Sequence, residues 1–333
     1  MFFSSNAMLV KARAMDAGRL RAKDYEKLLS CSSVVQIAQI LKNLKSYSYI
    51  IGFLEEKEVH RAILESALRE ELFDEFDILA KYDLALGEKL FKYIMTKLEV
   101  AQLSRFLIFL FAKNTENYIF FNSKFLKKHT SIDFENLKKI KDPKDFLNII
   151  SKFIGAKKDD IIELDINIME TRLYIYLFKE IFNVASNLNK SAKREIEEFY
   201  KEYIDFLNFS RIFRLSKFYN IEPKEAKKFL FLMGNININK FVNMPQNLEF
   251  KEIFKRSRFL KYFKPQNMEN FDTIPRLIKY KWARHKIKYS LSPSIVTISY
   301  IFLKEIEILN IVNIIEGVRY GLEHQKIQSL LII

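Results

Sequence analysis

Glycine and proline are scarce in this sequence, with seven glycines and six prolines among 333 residues. Together these two residue types usually make up about 12% of a chain. Because hairpins and tight turns need them at fixed positions, the shortage argues against β-sandwiches and β-barrels. Strand-like runs are few, the best being 161–168 and 236–238. The composition therefore predicts an all-α fold of long helices joined by short links.

Residues for metal, redox or catalytic chemistry are equally sparse. Cys31 is the only cysteine, which excludes an internal disulfide and a cysteine-rich metal site. None of the four histidines completes a Glu-x-x-His motif, and no phosphate-binding glycine loop or zinc-protease motif occurs. No uncharged run reaches the roughly 20 residues of a membrane-spanning helix. We therefore predict no catalytic residue, cofactor or metal site. An enzyme with an unrecognised site stays an alternative.

Helix signals occur along the chain. Asp142-Pro143 places an N-cap candidate before a proline at the first helical position, and Ser292-Pro293 repeats the placement of the proline. From Ser292, apolar residues recur at helical spacing as far as a stop near Gly317. A second apolar stripe on the same segment leaves little surface for water. The pattern predicts a helix buried among other helices.

Charge is distributed unevenly. Residues 55–88 hold 11 acids and 4 bases, and we interpret the acids of 70–77 as a solvated helix face. Residues 251–288 hold 12 bases and 3 acids, interleaved with aromatic residues. Such a mixture can bind phosphates and stack on bases, or contact an acidic protein or an anionic membrane surface. The candidate interface residues are Arg256, Arg258, Lys281 and Arg284.

Two segments about 100 residues apart resemble each other. Residues 207–214 read LNFSRIFR and residues 309–316 read LNIVNIIE, and a basic residue follows nine positions after Asn208 and after Asn310. A fainter copy begins near Asn117, which suggests three units. An asparagine inside a helix must satisfy its amide, so we expect both to bond a neighbouring helix or fix packing. Glu307 and Arg319 are expected to form internal ion pairs or helix-end contacts.

Several motifs resemble those of one family, the C-type subunits of V/A-type rotary ATPases and ATP synthases, known as d-type subunits in the eukaryotic vacuolar enzyme. The C-terminal motif is the more specific one, and the segment around Asn208 resembles the middle motif. The matching stretches are KARAM at 11–15, YEKLL at 25–29, LKEIEILN at 303–310 and IEGVRYGL at 315–322. Residues 60–110 and 225–290 resemble the family only in helical character.

The resemblance implies three similar helical lobes around a pseudo-threefold axis, shaped like a funnel. Together with the sequence repeat, the resemblance predicts lobes at about 1–111, 112–217 and 218–333. It leaves open whether the terminal helices pack together. It further implies a non-catalytic, peripheral rotor adaptor on the cytoplasmic face of the membrane. Its partners would be the proteolipid subunits of the ion-carrying ring and the central stalk subunits, with indirect membrane contact and no nucleic acid. A basic helical nucleic-acid-binding protein is the alternative function.

Overall fold

Helices form all of the regular structure that can be described. In the computed structural model of the chain, the described residues are 2–52, 54, 59–82, 84–118, 129–130, 132–156, 164–219, 221–242 and 273–333, and none of them lies in a strand. This confirms the all-α prediction. No helix within these ranges is both long enough and apolar enough to cross a lipid bilayer.

The described residues group into two units. The first contains residues from Met1–Gly87 together with Lys279–Ile333, and the second contains residues between Glu88 and Ile278. The division into three lobes near residues 111 and 217 stays a prediction.

The first unit joins both ends of the chain. Its helices are α1 (Phe2–Ala17), α2 (Ala22–Leu29), α3 (Val34–Lys42), α4 (Ser48–Ile51), α5 (Arg61–Ala80), the later part of α13 (Ile274–Tyr289), α14 (Pro293–Arg319) and α15 (His324–Ser329). Helix α14 packs against α1 and α5, and side chains on most of its faces are buried. The predicted buried helix starting after Ser292 is therefore confirmed.

Two glycines shape the end of α14. Gly321 has a φ of 64°, a left-handed conformation that reverses the chain without steric cost. Gly317 lies inside the last turns, where a Cβ would approach Ile327 Cγ1 to 2.5 Å. Its missing side chain allows α15 to pack closely on α14, so the segment has the expected helix end and turn.

Three long helices contribute most of the second unit. Its elements are α6 (Leu84–Phe111) from Glu88 onward, α7 (Phe134–Leu137), α8 (Pro143–Phe153), α9 (Ile166–Ser186), α10 (Lys190–Tyr219), α11 (Pro223–Ala226), α12 (Ile238–Val242) and the first residues of α13. Helices α9 and α10 pack together, and the rings of Phe178, Phe199 and Phe231 are buried. The Asp165 carboxylate accepts hydrogen bonds from the Asn167 and Ile168 amides, so the end of the strand-like run 161–168 is the first turn of α9.

Candidate functional site: a charge cluster and two asparagine clamps

A cluster of charged side chains is buried in the first unit. Lys304 and Glu307 lie one turn apart on α14, and Glu75 projects from α5. The Lys304 Nζ atom is 3.3 Å from Glu75 Oε1 and 3.3 Å from Glu307 Oε1. The side chain of Lys304 is 1% exposed and that of Glu307 is 0% exposed. We call these three residues the charge cluster.

The Glu307 carboxylate connects three separate parts of the chain. Its Oε1 accepts a hydrogen bond from the Tyr47 hydroxyl at 2.5 Å. Its Oε2 accepts one from the Leu20 amide at 2.8 Å, just after α1, and lies 3.6 Å from Arg19 Nη1. The Lys304 ammonium also lies 4.3 Å from the centre of the Tyr47 ring. One carboxylate on α14 therefore positions both the exit from α1 and the entry to α4.

Burial sets the electrostatics around Glu75. The Tyr300 hydroxyl donates a hydrogen bond to Glu75 Oε2 at 2.6 Å. Desolvation raises the pKa of Glu75, while the nearby Lys304 ammonium opposes that shift. Burial and the adjacent carboxylates also raise the pKa of Tyr47 and Tyr300. These hydroxyls therefore stay protonated and act as hydrogen-bond donors.

The interpretation of residues 70–77 as a solvated face was wrong for Glu75. Its side chain is 13% exposed and forms an ion pair with a buried lysine. One turn earlier, burial raises the pKa of Glu71 to about 7. The acidic face of α5 therefore contributes to the interior of the unit as well as to its surface, because a lysine on α14 lies opposite it.

Asn208 and Asn310 make the same pair of hydrogen bonds. Asn208 Nδ2 donates to the Phe231 carbonyl at 2.8 Å, and its Oδ1 accepts from the Phe231 amide at 2.8 Å. Asn310 Nδ2 donates to the Ile332 carbonyl at 2.9 Å, and its Oδ1 accepts from the Ile332 amide at 2.9 Å. Both asparagines are buried in long helices. We call these arrangements the asparagine clamps, and each holds the backbone of a returning segment rather than another helix.

Polar contacts support the clamp of the second unit. Arg211, one turn after Asn208 on α10, donates from Nη1 to Thr171 Oγ1 at 2.6 Å and to the Phe229 carbonyl at 2.9 Å. The Asp205 carboxylate accepts from the Asn235 and Ile236 amides at 3.0 and 3.1 Å. Burial raises the pKa of Asp205 to about 6. The segment after α11 is therefore attached to α10 by several hydrogen bonds.

The remaining predicted residues lie apart from these contacts. Arg319 is at the end of α14, with Nη1 3.4 Å from Glu316 Oε2 and its side chain half-exposed. Arg256 and Arg258 lie outside the described residues. Lys281 and Arg284 are on α13, and Arg284 is exposed and donates to the Tyr280 hydroxyl at 3.0 Å. Asn310 and Glu307 are thus close together on α14, whereas Lys281 and Arg284 are on another helix.

The aromatic residues of the basic segment are not exposed where they can be described. Tyr280 is 8% exposed and Trp282 is 3% exposed. A buried ring cannot serve as a stacking platform for a nucleic-acid base. This part of the segment therefore does not favour the alternative function.

Sequence reasoning missed Lys304, Glu75 and Tyr47 as parts of a site. Lys304 and Glu307 are spaced i, i+3 in the buried part of a mostly apolar helix. Charges so placed need partners from outside the helix, which is a signal for a buried ion pair. Within the described ranges, no group of three or more His, Cys, Asp or Glu side chains could hold a metal ion.

Comparison with protein families gives a match over nearly the full length. The model of a family described as the ATP synthase (C/AC39) subunit matches residues 9–330. A comparison with individual curated proteins gives no match. The matched residues include the charge cluster and both clamp asparagines, Asn208 and Asn310.

Proposed function

Because the chain belongs to the ATP synthase (C/AC39) subunit family, we propose that it is a non-catalytic rotor adaptor of a V/A-type rotary ATPase. One side holds the cytoplasmic loops of the proteolipid ring, and the other receives the foot of the central stalk. The protein transmits torque between them and is peripheral, on the cytoplasmic face, with indirect membrane contact.

The extent of the family match carries this proposal. Because residues 9–330 match a single family model, we assign the proposed role to the whole chain rather than to one attached domain. The buried contacts support a mechanical role. The charge cluster and the clamp of Asn310 connect α14 to α5, to the end of α1 and to the C-terminal residues. Close-packed interiors have low compressibility, which suits a part that transmits force.

Affinity purification from native membranes tests the proposal. We expect an epitope-tagged chain, solubilised in mild detergent, to bring down both ring and stalk subunits. Untagged membranes processed in parallel are the control for non-specific recovery. The isolated chain should show no ATP hydrolysis above a heat-denatured sample. Recovery of a folded tagged chain without ring or stalk subunits would contradict the adaptor role.

A further inference from the structure

A cavity of about 650 Å³ lies beside the charge cluster in the first unit. It is bordered by the end of α1, the start of α2, the later part of α13 and the middle of α14. Its volume is within the range of about 300–1,000 Å³ that is typical of small-molecule sites. Apolar side chains of Ile287, Leu303 and Ile306 form part of its lining.

Positive charge exceeds negative charge in this cavity. The charged side chains of its lining are the basic Arg19, Arg21, Arg284 and Lys288 and the acidic Asp16 and Glu307. Both acids are engaged by Arg19, at 2.7 Å for Asp16 and 3.6 Å for Glu307.

The other three basic residues of the lining are not neutralised by an ion pair with any described residue. Among the residues that can be described, no carboxylate forms an ion pair with Arg21, Arg284 or Lys288. The lining therefore contains three basic side chains that form no ion pair with an acidic side chain in the described ranges.

Two buried hydroxyls add further donors. Tyr25 is 6% exposed and Tyr280 is 8% exposed, and both line the cavity. The Tyr25 oxygen accepts from Asn310 Nδ2 at 3.5 Å, and the Tyr280 oxygen accepts from Arg284 Nη1 at 3.0 Å. Within the described part of the chain, neither hydroxyl hydrogen has an acceptor. Because both residues line the cavity, an acceptor that enters it would complete the hydrogen bonding of their hydroxyls.

We propose that this cavity binds a small organic anion carrying two or more negative charges on phosphate or carboxylate groups. Guanidinium groups bind both by charge-assisted hydrogen bonds, and the tyrosine hydroxyls supply neutral donors. The apolar lining and the two rings suit an organic body. This binding does not require assembly with the ring or stalk, although Arg284 is also one of the candidate interface residues.

Isothermal titration calorimetry of the full-length chain tests the site with two probes. Pyrophosphate represents phosphate ligands and citrate represents carboxylate ligands, each titrated at constant ionic strength against a sodium chloride baseline. We expect saturable binding of one probe molecule per chain, weakened by added salt. The probe that binds more tightly identifies the source of the negative charge. Absence of saturable binding of both probes overturns the proposal.

Variants separate this site from general attraction to a chain of net charge +14. Arg284→Gln alone should weaken binding, and Arg284→Gln combined with Lys288→Gln should weaken it by about tenfold or more, because charged hydrogen bonds are lost. Tyr25→Phe should weaken it by about threefold while keeping the ring. Lys281→Gln is the matched control, since it removes one charge from α13 outside the cavity lining, and it should change affinity less than twofold.

Equal weakening in Lys281→Gln and Arg284→Gln would show that the anion interacts with the overall charge of the protein, and would also overturn the proposal. Far-ultraviolet circular dichroism and unfolding midpoints confirm that each variant is folded before its affinity is interpreted. Co-purification of ring and stalk subunits is measured separately, so failure of the anion site and failure of the adaptor role give different results.

Discussion

Replacement of Lys304 by methionine tests whether the charge cluster holds the first unit together. Methionine keeps an unbranched apolar stem and removes the ammonium group. The substitution leaves Glu75 and Glu307 buried without the cation that lies 3.3 Å from each. Arg19, 3.6 Å from Glu307, compensates only part of the lost charge.

The expected loss follows from the burial of Lys304. Removing one partner of a buried ion pair costs about 3–5 kcal/mol, because the remaining charge is left unpaired. Whole domains are stable by only about 5–15 kcal/mol. Lys81 and Asp77 give the opposite case, with Nζ and Oδ2 2.8 Å apart and side chains 70% and 49% exposed. Lys81→Met should cost less than about 1 kcal/mol.

Urea unfolding followed by far-ultraviolet circular dichroism measures both variants. Lys304→Met should lower the transition midpoint of the first unit far more than Lys81→Met does. Adding Glu75→Gln to Lys304→Met should recover part of the loss, since one unpaired charge disappears while an acceptor for the Tyr300 hydroxyl remains. Equal midpoints for Lys304→Met and Lys81→Met would refute the reasoning.

Three further outcomes are expected. Burial raises the pKa of Glu71 to about 7. The native state therefore binds the carboxyl proton of Glu71 more tightly than the unfolded state does. As a result, the free energy of unfolding falls as the pH rises from about 4.5 through 7. Glu71→Gln should therefore unfold at higher urea than the parent at pH 8 and nearly equally at pH 4. Asn310→Ala should lower the free energy of unfolding in urea by about 2–3 kcal/mol, because the buried amide and carbonyl of Ile332 lose their hydrogen-bond partner. Asn313→Ala is the control: it loses one exposed hydrogen bond to a carbonyl and should lower that free energy by less than about 1 kcal/mol. Charge reversal at Lys281 and Arg284 should weaken co-purification with the ring and stalk, as added salt should, while Lys81→Glu should not; no change in either condition would contradict the interface prediction.

The helical architecture could be predicted because its signals are local. A proline at a helix start, such as Pro293, and a glycine at a turn each affect only the backbone within a few residues of it. Helix α14 accordingly begins at Pro293 and ends near the predicted stop, at Arg319. Asp142 caps α8 as predicted, and its carboxylate accepts a hydrogen bond from the Lys144 amide at 2.8 Å. Such signals need no knowledge of which helices meet.

The charge cluster could not be predicted because it depends on distant parts of the chain. Glu75 belongs to a run of acids at i, i+4 spacing, which is typical of a solvated helix face. Only the packing of α5 on α14 places Lys304 opposite it. The sequence around Lys304 indicated that a buried helix carried charges. It contained no information on which acid, more than 200 positions away, would meet this lysine.

The asparagine clamps give the sequence repeat a physical meaning. Phe231 follows Asn208 by 23 positions, and Ile332 follows Asn310 by 22. Each asparagine binds the amide and carbonyl of one residue through its Oδ1 and Nδ2 atoms. A chance similarity between two helical segments would not predict this shared pattern. Because amide and carbonyl are both held, the returning segment is fixed in position along the long helix. Each unit thus contains a pair of hydrogen bonds that fixes a chain segment against its longest helix, which would suit the proposed adaptor role.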